Sequence, residues 1–332
     1  MKSSEIPNEL RNAKQQATEQ LLISSERLAR PTWAVRSDPD HNVVGVGVGR
    51  KVKRGRLLKR RCVRIYVERK IPREALPPNF VLPDVIEGVE TDIIETGRFR
   101  AHATGAQQKR QRPARPGCSI GFRFPDAPAG SLMAGTLGAL VEADGVRYIL
   151  SNNHVLANEN ALPIETLIFQ PGLLDGGSTA TDSIARLARF VPLTTNGNNS
   201  VDCAIARLTD DNAVSPSILP KVGRLKSSDP IEAAEGMRAE KTGRATGYTT
   251  GTVFDVSATV TVQFDLGMLT FADQILIRGD SGPFSDGGDS GSLVVDRGSG
   301  RATGLLIGGV PNYAIANHIA PVLHSLNVTL VR

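Results

Sequence analysis

The chain has 332 residues, 40% hydrophobic and 22% charged, with a formal net charge of +5, so it carries enough apolar material for a sizeable core, two domains are expected, and it is globular by composition. No apolar run approaches the roughly 20 residues that span a bilayer, and the first residues, Met1-Lys2-Ser3-Ser4-Glu5-Ile6-Pro7, lack a signal peptide's hydrophobic region, so a cytoplasmic protein with no membrane partner is expected. Cys62, Cys118 and Cys203 are odd in number and widely spaced, which suits buried thiols rather than a disulfide framework or a zinc site; no metal and no cofactor is expected.

In chain order, Ile6, Leu10, Ala13, Ala17, Leu21 and Leu28 recur at steps of three, four and seven, an amphipathic helix suited to packing or self-association. Val43-Val44-Gly45-Val46-Gly47-Val48-Gly49 alternates valine and glycine, the mark of a strand whose glycine face lets another element come close. A dinucleotide-binding loop is the competing idea, but Arg50 stands where its third glycine would be. Between Arg50 and Arg73 there are twelve Lys or Arg against one acid, and between Arg98 and Arg115 six against none, which leaves the rest of the chain acidic by about 12 charges. Such a stretch either solvates a surface, meets nucleic acid or another polyanion, or is held against the acidic body.

Cys62 to Val67 and Thr91 to Glu95 read as further strands, separated by Pro72, Pro77, Pro78 and Pro83. Residues 1–97 are therefore expected to form a helix plus a small basic α+β module, and 98–117, with no apolar period, a basic linker open to proteolysis. From Cys118 the pattern changes to short strands at regular spacing: 134–141, 147–151, 183–190, 202–208, 252–264, 274–277, 293–295 and 302–307, with helical period only over 316–326. This is the signature of an antiparallel barrel or sandwich domain over 118–332.

Gly288-Asp289-Ser290-Gly291 places a hydroxyl among glycines immediately before the apolar strand at Leu293. A serine becomes a nucleophile only with a base for its proton and donors for the oxyanion, and the N–H groups of Gly288 and Ser290 are spaced to be those donors. The same tetrapeptide is also a common turn, and Gly279-Asp280-Ser281-Gly282 repeats it nine residues earlier without a following strand, so Ser281 reads as loop. Of His41, His102, His154, His318 and His324, only His154 ends an apolar strand, Tyr148-Ile149-Leu150-Ser151-Asn152-Asn153-His154, where a side chain is fixed yet reaches a cleft; His318 and His324 fall in the expected C-terminal helix. Asp202, leading into Cys203-Ala204-Ile205-Ala206, is the candidate to orient that histidine, with Asp175, Asp182 and Asp210 as competitors in more polar surroundings.

These three motifs, in the order His154, Asp202, Ser290, resemble those of the trypsin-like (chymotrypsin-fold) serine peptidases of bacterial type. The resemblance covers about 118–332 and implies two six-stranded antiparallel β-barrels with the site in the cleft between them. It further implies that Ser290 attacks the scissile carbonyl, His154 moves the proton, Asp202 orients His154, and Gly288 with Ser290 forms the oxyanion hole. Phe284 is then expected at the base of the primary substrate pocket and Ile307-Gly308-Gly309 along one wall; with no acid at that base, a small or apolar substrate side chain is favoured over Lys or Arg. Asn152 and Asn153 replace small residues before the histidine, and Ser292 replaces a glycine after the serine. The N-terminal module is similar to one that precedes an intracellular trypsin-like domain in the narrow-leaf protein group. The expected activity is thus a serine endopeptidase acting on protein or peptide, regulated, targeted or oligomerised by its module. The alternatives are a non-catalytic binding protein on the same scaffold, and an enzyme that cuts itself between Gly97 and Gly117.

Overall fold

The computed structural model describes the chain except residues 23–41, 54–55, 72, 77–80, 97–106, 125–132 and 311. Leu28, His41, His102, Pro72, Pro77 and Pro78 fall outside the described residues. The amino-terminal part has helix α1 (Asn8–Leu21) and strands β1 (Val43–Lys53), β2 (Arg56–Val67), β3 (Val85–Ile86) and β4 (Val89–Glu95). There follow β5 (Ser119–Phe122), β6 (Gly135–Thr136), β7 (Ala139–Ala143), β8 (Val146–Ser151), the short helix α2 (Asn153–Leu156), β9 (Leu167–Phe169), β10 (Ser183–Phe190), β11 (Asn198–Asn199) and β12 (Ala204–Leu208). The last third contains β13 (Arg238–Gly243), β14 (Gly247–Phe264), β15 (Gly267–Gly279), β16 (Leu293–Asp296), β17 (Ala302–Val310), β18 (Tyr313–His318), α3 (Ile319–Leu326) and β19 (Thr329–Leu330).

Two sheets close on themselves. In the first, β5 pairs with β6 and β9, β9 with β10, β10 with β12, β12 with β8, and β8 with β7. Because β6 and β7 are one bent strand, joined where Gly138 N–H donates to Leu150 O at 2.9 Å, the ring has six strands. In the second, the cycle β13-β14-β15-β18-β17-β16 returns to β13 through Ala239 opposite Asp296. The molecule is therefore mainly β, with the two six-stranded antiparallel barrels of the chymotrypsin fold. Each barrel is filled by the inward residues of its alternating strands, Ile120, Ile149, Ile168, Leu187 and Ala206 in the first and Val253, Ile275, Ile277, Val294 and Leu306 in the second.

The amino-terminal strands continue the second barrel. Gly45 and Val46 of β1 pair with Val260 and Thr259 of β14, and β2 and β4 extend the sheet beyond β1. Val46, Val63, Ile65 and Val67 bury one face under Ala13 and Ala17 of α1. The glycine face meets the other side: a methyl group at Gly47 would fall on the Asp255 carboxylate, and one at Gly49 on the Arg64 guanidinium. Alternation of valine and glycine thus places a packing face and a close-approach face on one strand.

Two expectations shift in detail. Residues 107–117, read from sequence as linker, lie along the first barrel: Arg110 and Arg112 reach Asp182 at 2.6 and 3.3 Å, and Ala114 is buried with its N–H on Ala213 O at 2.7 Å. A stretch with no apolar period can still be held by its charges. The helical pattern over 316–326 resolves into the end of β18 and then α3, with His318 at the junction and its Nε2 2.9 Å from Val256 O. Short apolar runs of this kind carry no periodicity that separates strand from helix. Among the described residues no helix is long and apolar enough to cross a membrane.

Candidate active site

His154 sits in the first turn after β8, where α2 begins, and Asp202 lies just before β12, the strand paired to β8. That pairing brings residues 48 apart in sequence into contact: His154 Nδ1 lies 2.5 Å from Asp202 Oδ2, with the carboxylate wholly buried. The other oxygen, Oδ1, accepts the N–H groups of Asn153 at 2.8 Å and His154 at 3.3 Å. Two side chains hold the aspartate backbone: Asn317 Oδ1 accepts its N–H at 3.0 Å, and Asn152 Nδ2 and Asn317 Nδ2 donate to its carbonyl at 2.8 and 3.1 Å, with Asn317 Nδ2 also 3.2 Å from Leu305 O. Burial by itself would lower the pKa of His154, but the Asp202 charge, the hydrogen bond to it and the more distant Glu159 charge outweigh burial and raise it. The competing acids are engaged elsewhere: Asp175 forms a two-pronged pair with Arg244 at 2.6 and 2.7 Å, Asp182 holds Arg110 and Arg112, and Asp210 closes a turn on the Asn212 N–H.

Ser290 lies on the second barrel's side of the seam, in the turn before β16. Strand β6 joins the two sides: Thr136 N–H donates to Ser290 O at 2.9 Å, and Gly135 fits between the Val155 side chain and Ser290 O. The Ser290 hydroxyl donates to Ile307 O at 2.8 Å; among the described residues no hydrogen bond joins it to His154.

The loop before Ser290 is held from several directions. Gly288 and Gly291 have φ of +89° and +91°, a conformation that glycine adopts without strain. Thr136 Oγ1 donates to Gly288 O at 2.7 Å, and among the described residues no acceptor is bonded to the N–H of Gly288 or of Ser290. Asp289 is fully buried; it pairs with the equally buried Lys241 at 2.8 Å, takes the Thr246 hydroxyl at 2.6 Å, and accepts the N–H groups of Ala245, Thr246 and Asp286 at 2.7, 3.1 and 3.0 Å. Burial lowers the Lys241 pKa, opposed by the charge and hydrogen bond of Asp289.

The expected pocket residues lie on β17 and in the segment just before the Gly-Asp-Ser-Gly turn. Phe284 is 1% exposed and belongs to the core of the second barrel, its ring over Gly251. Ile307 is buried, and Gly308 and Gly309 pair with Ile315 and Ala314. Beside Gly309 the hydroxyl of Ser285 is buried and has no partner among the described residues. Ser281 is exposed in the loop after β15. Sequence reading did not single out Asn317, Lys241, Glu159 or Phe264. Only a partner for the acid in the Gly-Asp-Ser-Gly motif could have been anticipated, since a buried carboxylate next to the serine demands a cation.

A closed pair of six-stranded barrels, with a buried Asp–His pair on one and a Gly-Asp-Ser-Gly turn on the other, decides the likeness. The chain is similar to the trypsin-like serine peptidases. Rice Protein NARROW LEAF 1 (Oryza sativa subsp. japonica) is 26% identical over a 307-residue alignment covering 81% of this chain and 51% of the rice protein, so the chain spans about half the length of that relative. Solved structures similar to it include a glutamic-acid-specific serine protease described as using a histidine triad in substrate binding, at 22% identity, 66% of this chain, all of the other and a TM-score of 0.46. Thermobifida fusca protease A matches at 19% identity, 66% of this chain, 99% of the other and a TM-score of 0.47. No family model matches the chain.

Proposed function

We propose that the chain is a serine endopeptidase that hydrolyses peptide bonds through an acyl-enzyme on Ser290. The buried hydrogen bond between Asp202 and His154 Nδ1 carries this reading, because it fixes the tautomer that leaves Nε2 free to take a proton. When substrate enters, the Ser290 hydroxyl turns from Ile307 O to His154, loses its proton and attacks the carbonyl; Asp202 stabilises the imidazolium, which then protonates the leaving amine. The unbonded N–H groups of Gly288 and Ser290 hold the oxyanion. With no acid at the expected base of the primary pocket, a small or apolar substrate side chain is favoured over Lys or Arg.

A second reading, a binding protein on a peptidase scaffold, is favoured by one observation, the Ser290 hydroxyl directed at a carbonyl rather than at a base. Its anionic partner would meet Lys59, Arg61, Arg69 and Lys70, since Lys51 and Arg60 are already drawn to Glu90 at 3.1 and 2.9 Å. Labelling with a fluorophosphonate probe separates the two. Modification of wild type and Ser281→Ala but not Ser290→Ala, read by intact mass, supports the peptidase; silence of all three, with salt-sensitive binding of nucleic acid, supports the binding protein. Self-cleavage within 97–117 would appear in the same spectra as a fragment pair lost in Ser290→Ala.

A further inference from the structure

The β14–β15 hairpin runs past its own barrel and brings its tip to the histidine. Phe264, the last residue of β14, packs edge-on against the His154 ring, with centroids 5.4 Å apart and planes at 76°, and is backed by Phe271 at 5.7 Å. The tip is fastened by a side chain from the opposite barrel: both oxygens of Glu159 accept tip N–H groups, Asp265 at 3.1 Å and Leu266 at 2.7 Å.

Glu159 is delivered by an unusual backbone. Asn158, Glu159 and Asn160 are three successive non-glycine residues with φ of +46°, +54° and +75°. Such a run persists only where its surroundings impose it. Here Asn153, the residue before His154, imposes it: its amide exchanges hydrogen bonds with Asn160 at 2.8 and 3.0 Å and donates to Val191 O at 2.7 Å, while Asn160 binds both the carbonyl and the N–H of Leu193. Strain held next to the base and spent on a clamp for the opposite barrel points to use rather than accident.

We infer that Phe264, fastened by Glu159, is a specificity wall: it fills the space beside His154 that a substrate side chain flanking the scissile bond would enter, so that only small residues are accepted there. The inference rests on the peptidase reading and deepens it by naming the substrate class, peptides with glycine, alanine or serine at the position against the imidazole. Leu266 and Met268, 44% and 37% exposed, extend the wall outward as an apolar rim for the next part of the peptide. Glu159 acts through the hairpin and is a positioning residue; the charged groups turned toward His154 are Asp202 and Glu159, with Asp265 at the hairpin tip.

The test is a peptide library varied one position at a time, hydrolysed by wild type, Phe264→Ala, Phe264→Leu and Glu159→Gln, with the melting temperature of each recorded. In the wild type, small residues are required at one position; Phe264→Ala raises the ratio of rates for leucine over alanine there about tenfold or more. Phe264→Leu retains apolar packing on Phe271 and shows a smaller shift in the same direction, which serves if the alanine variant does not fold. Glu159→Gln leaves one tip N–H without an acceptor, broadens the preference partially and moves the acid limb of the pH profile to lower pH, which a loss of packing alone does not do. A folded Phe264 variant with unchanged preference overturns the wall while leaving the peptidase intact. Absence of Ser290 labelling in the wild type overturns the peptidase reading and the wall with it.

Discussion

His154 and Asp202 form a pair whose energy depends on exclusion of water. With the carboxylate buried, the imidazolium is favoured, and the His154 pKa stands above its ordinary value. The raised value stabilises the fold below the unfolded pKa of about 6.5, and that contribution is lost as pH rises through the folded pKa. In the proposed peptidase, catalysis would have the opposite sign, because His154 would have to be neutral to act as base. kcat/KM is expected to rise with pH through an inflection above about 6.5, measured as an initial-rate profile on a peptide substrate. If the proposed triad operates, Asp202→Asn should lower kcat by about 10⁴ and move the inflection down; a loss of tenfold or less would overturn the role proposed for Asp202. Lys241 answers to a different accounting. Its ammonium and the Asp289 carboxylate are both fully buried, so Lys241→Met leaves a charge without a counterion and should destabilise the protein by about 3–5 kcal/mol, read from denaturant unfolding. Unchanged stability would mean that Asp289 is satisfied by Thr246 and the backbone alone.

Among elements, β1 and the β14–β15 hairpin carry the most consequence. Strand β1 is narrow by sequence: its glycines admit the Asp255 carboxylate, hydrogen-bonded to the Tyr66 hydroxyl, and the Arg64 guanidinium, which lies 4.0 Å from the Phe254 ring centre. Gly47→Ala puts a methyl group into that carboxylate and should cost about 1–3 kcal/mol, whereas Gly88→Ala, where nothing lies near but φ is +75°, should cost about 1 kcal/mol from the backbone alone. Comparing the two by thermal unfolding separates crowding from conformational strain; equal losses would show that the close approach relaxes freely. The hairpin is the longest element of the second barrel, and its far half leaves the barrel to touch β1 on one side and His154 on the other.

At the scale of the whole molecule, the module is continuous with the second barrel. Val44 and Tyr66 share an apolar cluster with Phe254, Val260, Phe264 and Phe271, so apolar contact runs unbroken from the module to the ring that touches His154. Arg64, with no exposed surface, bonds to Phe254 O and Arg50 O at 2.7 Å and to Glu235 at 3.3 Å. Removal of residues 1–96 would leave the edge of β14 unpaired near Thr259 and Asp255 without Tyr66 or Arg64. The truncated chain is expected to melt lower and to associate, seen by light scattering after size exclusion. A monomer of unchanged melting temperature would show that the barrels stand without the module.

The sequence by itself marked many strands of the second half, though not β13 or β18, and singled out His154 and Asp202 as candidates to pair. Alternation of period two survives in any environment, so the apolar runs that lead to His154 and follow Asp202 were both visible, while the pairing of β8 with β12 was not. The close-approach face of β1 was legible for the same reason, since a missing side chain is visible in the alphabet. Only the tertiary structure decided which side chains meet across the barrels. Lys241 on Asp289, Asn317 on Asp202, Glu159 on the hairpin tip at Leu266 and Phe264 on His154 are far apart in sequence, the first three by 48, 115 and 107 residues, and no local pattern encodes such contacts. The fusion of module to barrel, the fastening of residues 107–117 by their arginines and the burial of Phe284 were decided there too, because charge pairing and the closing of a core are properties of surfaces that exist only after the chain has folded.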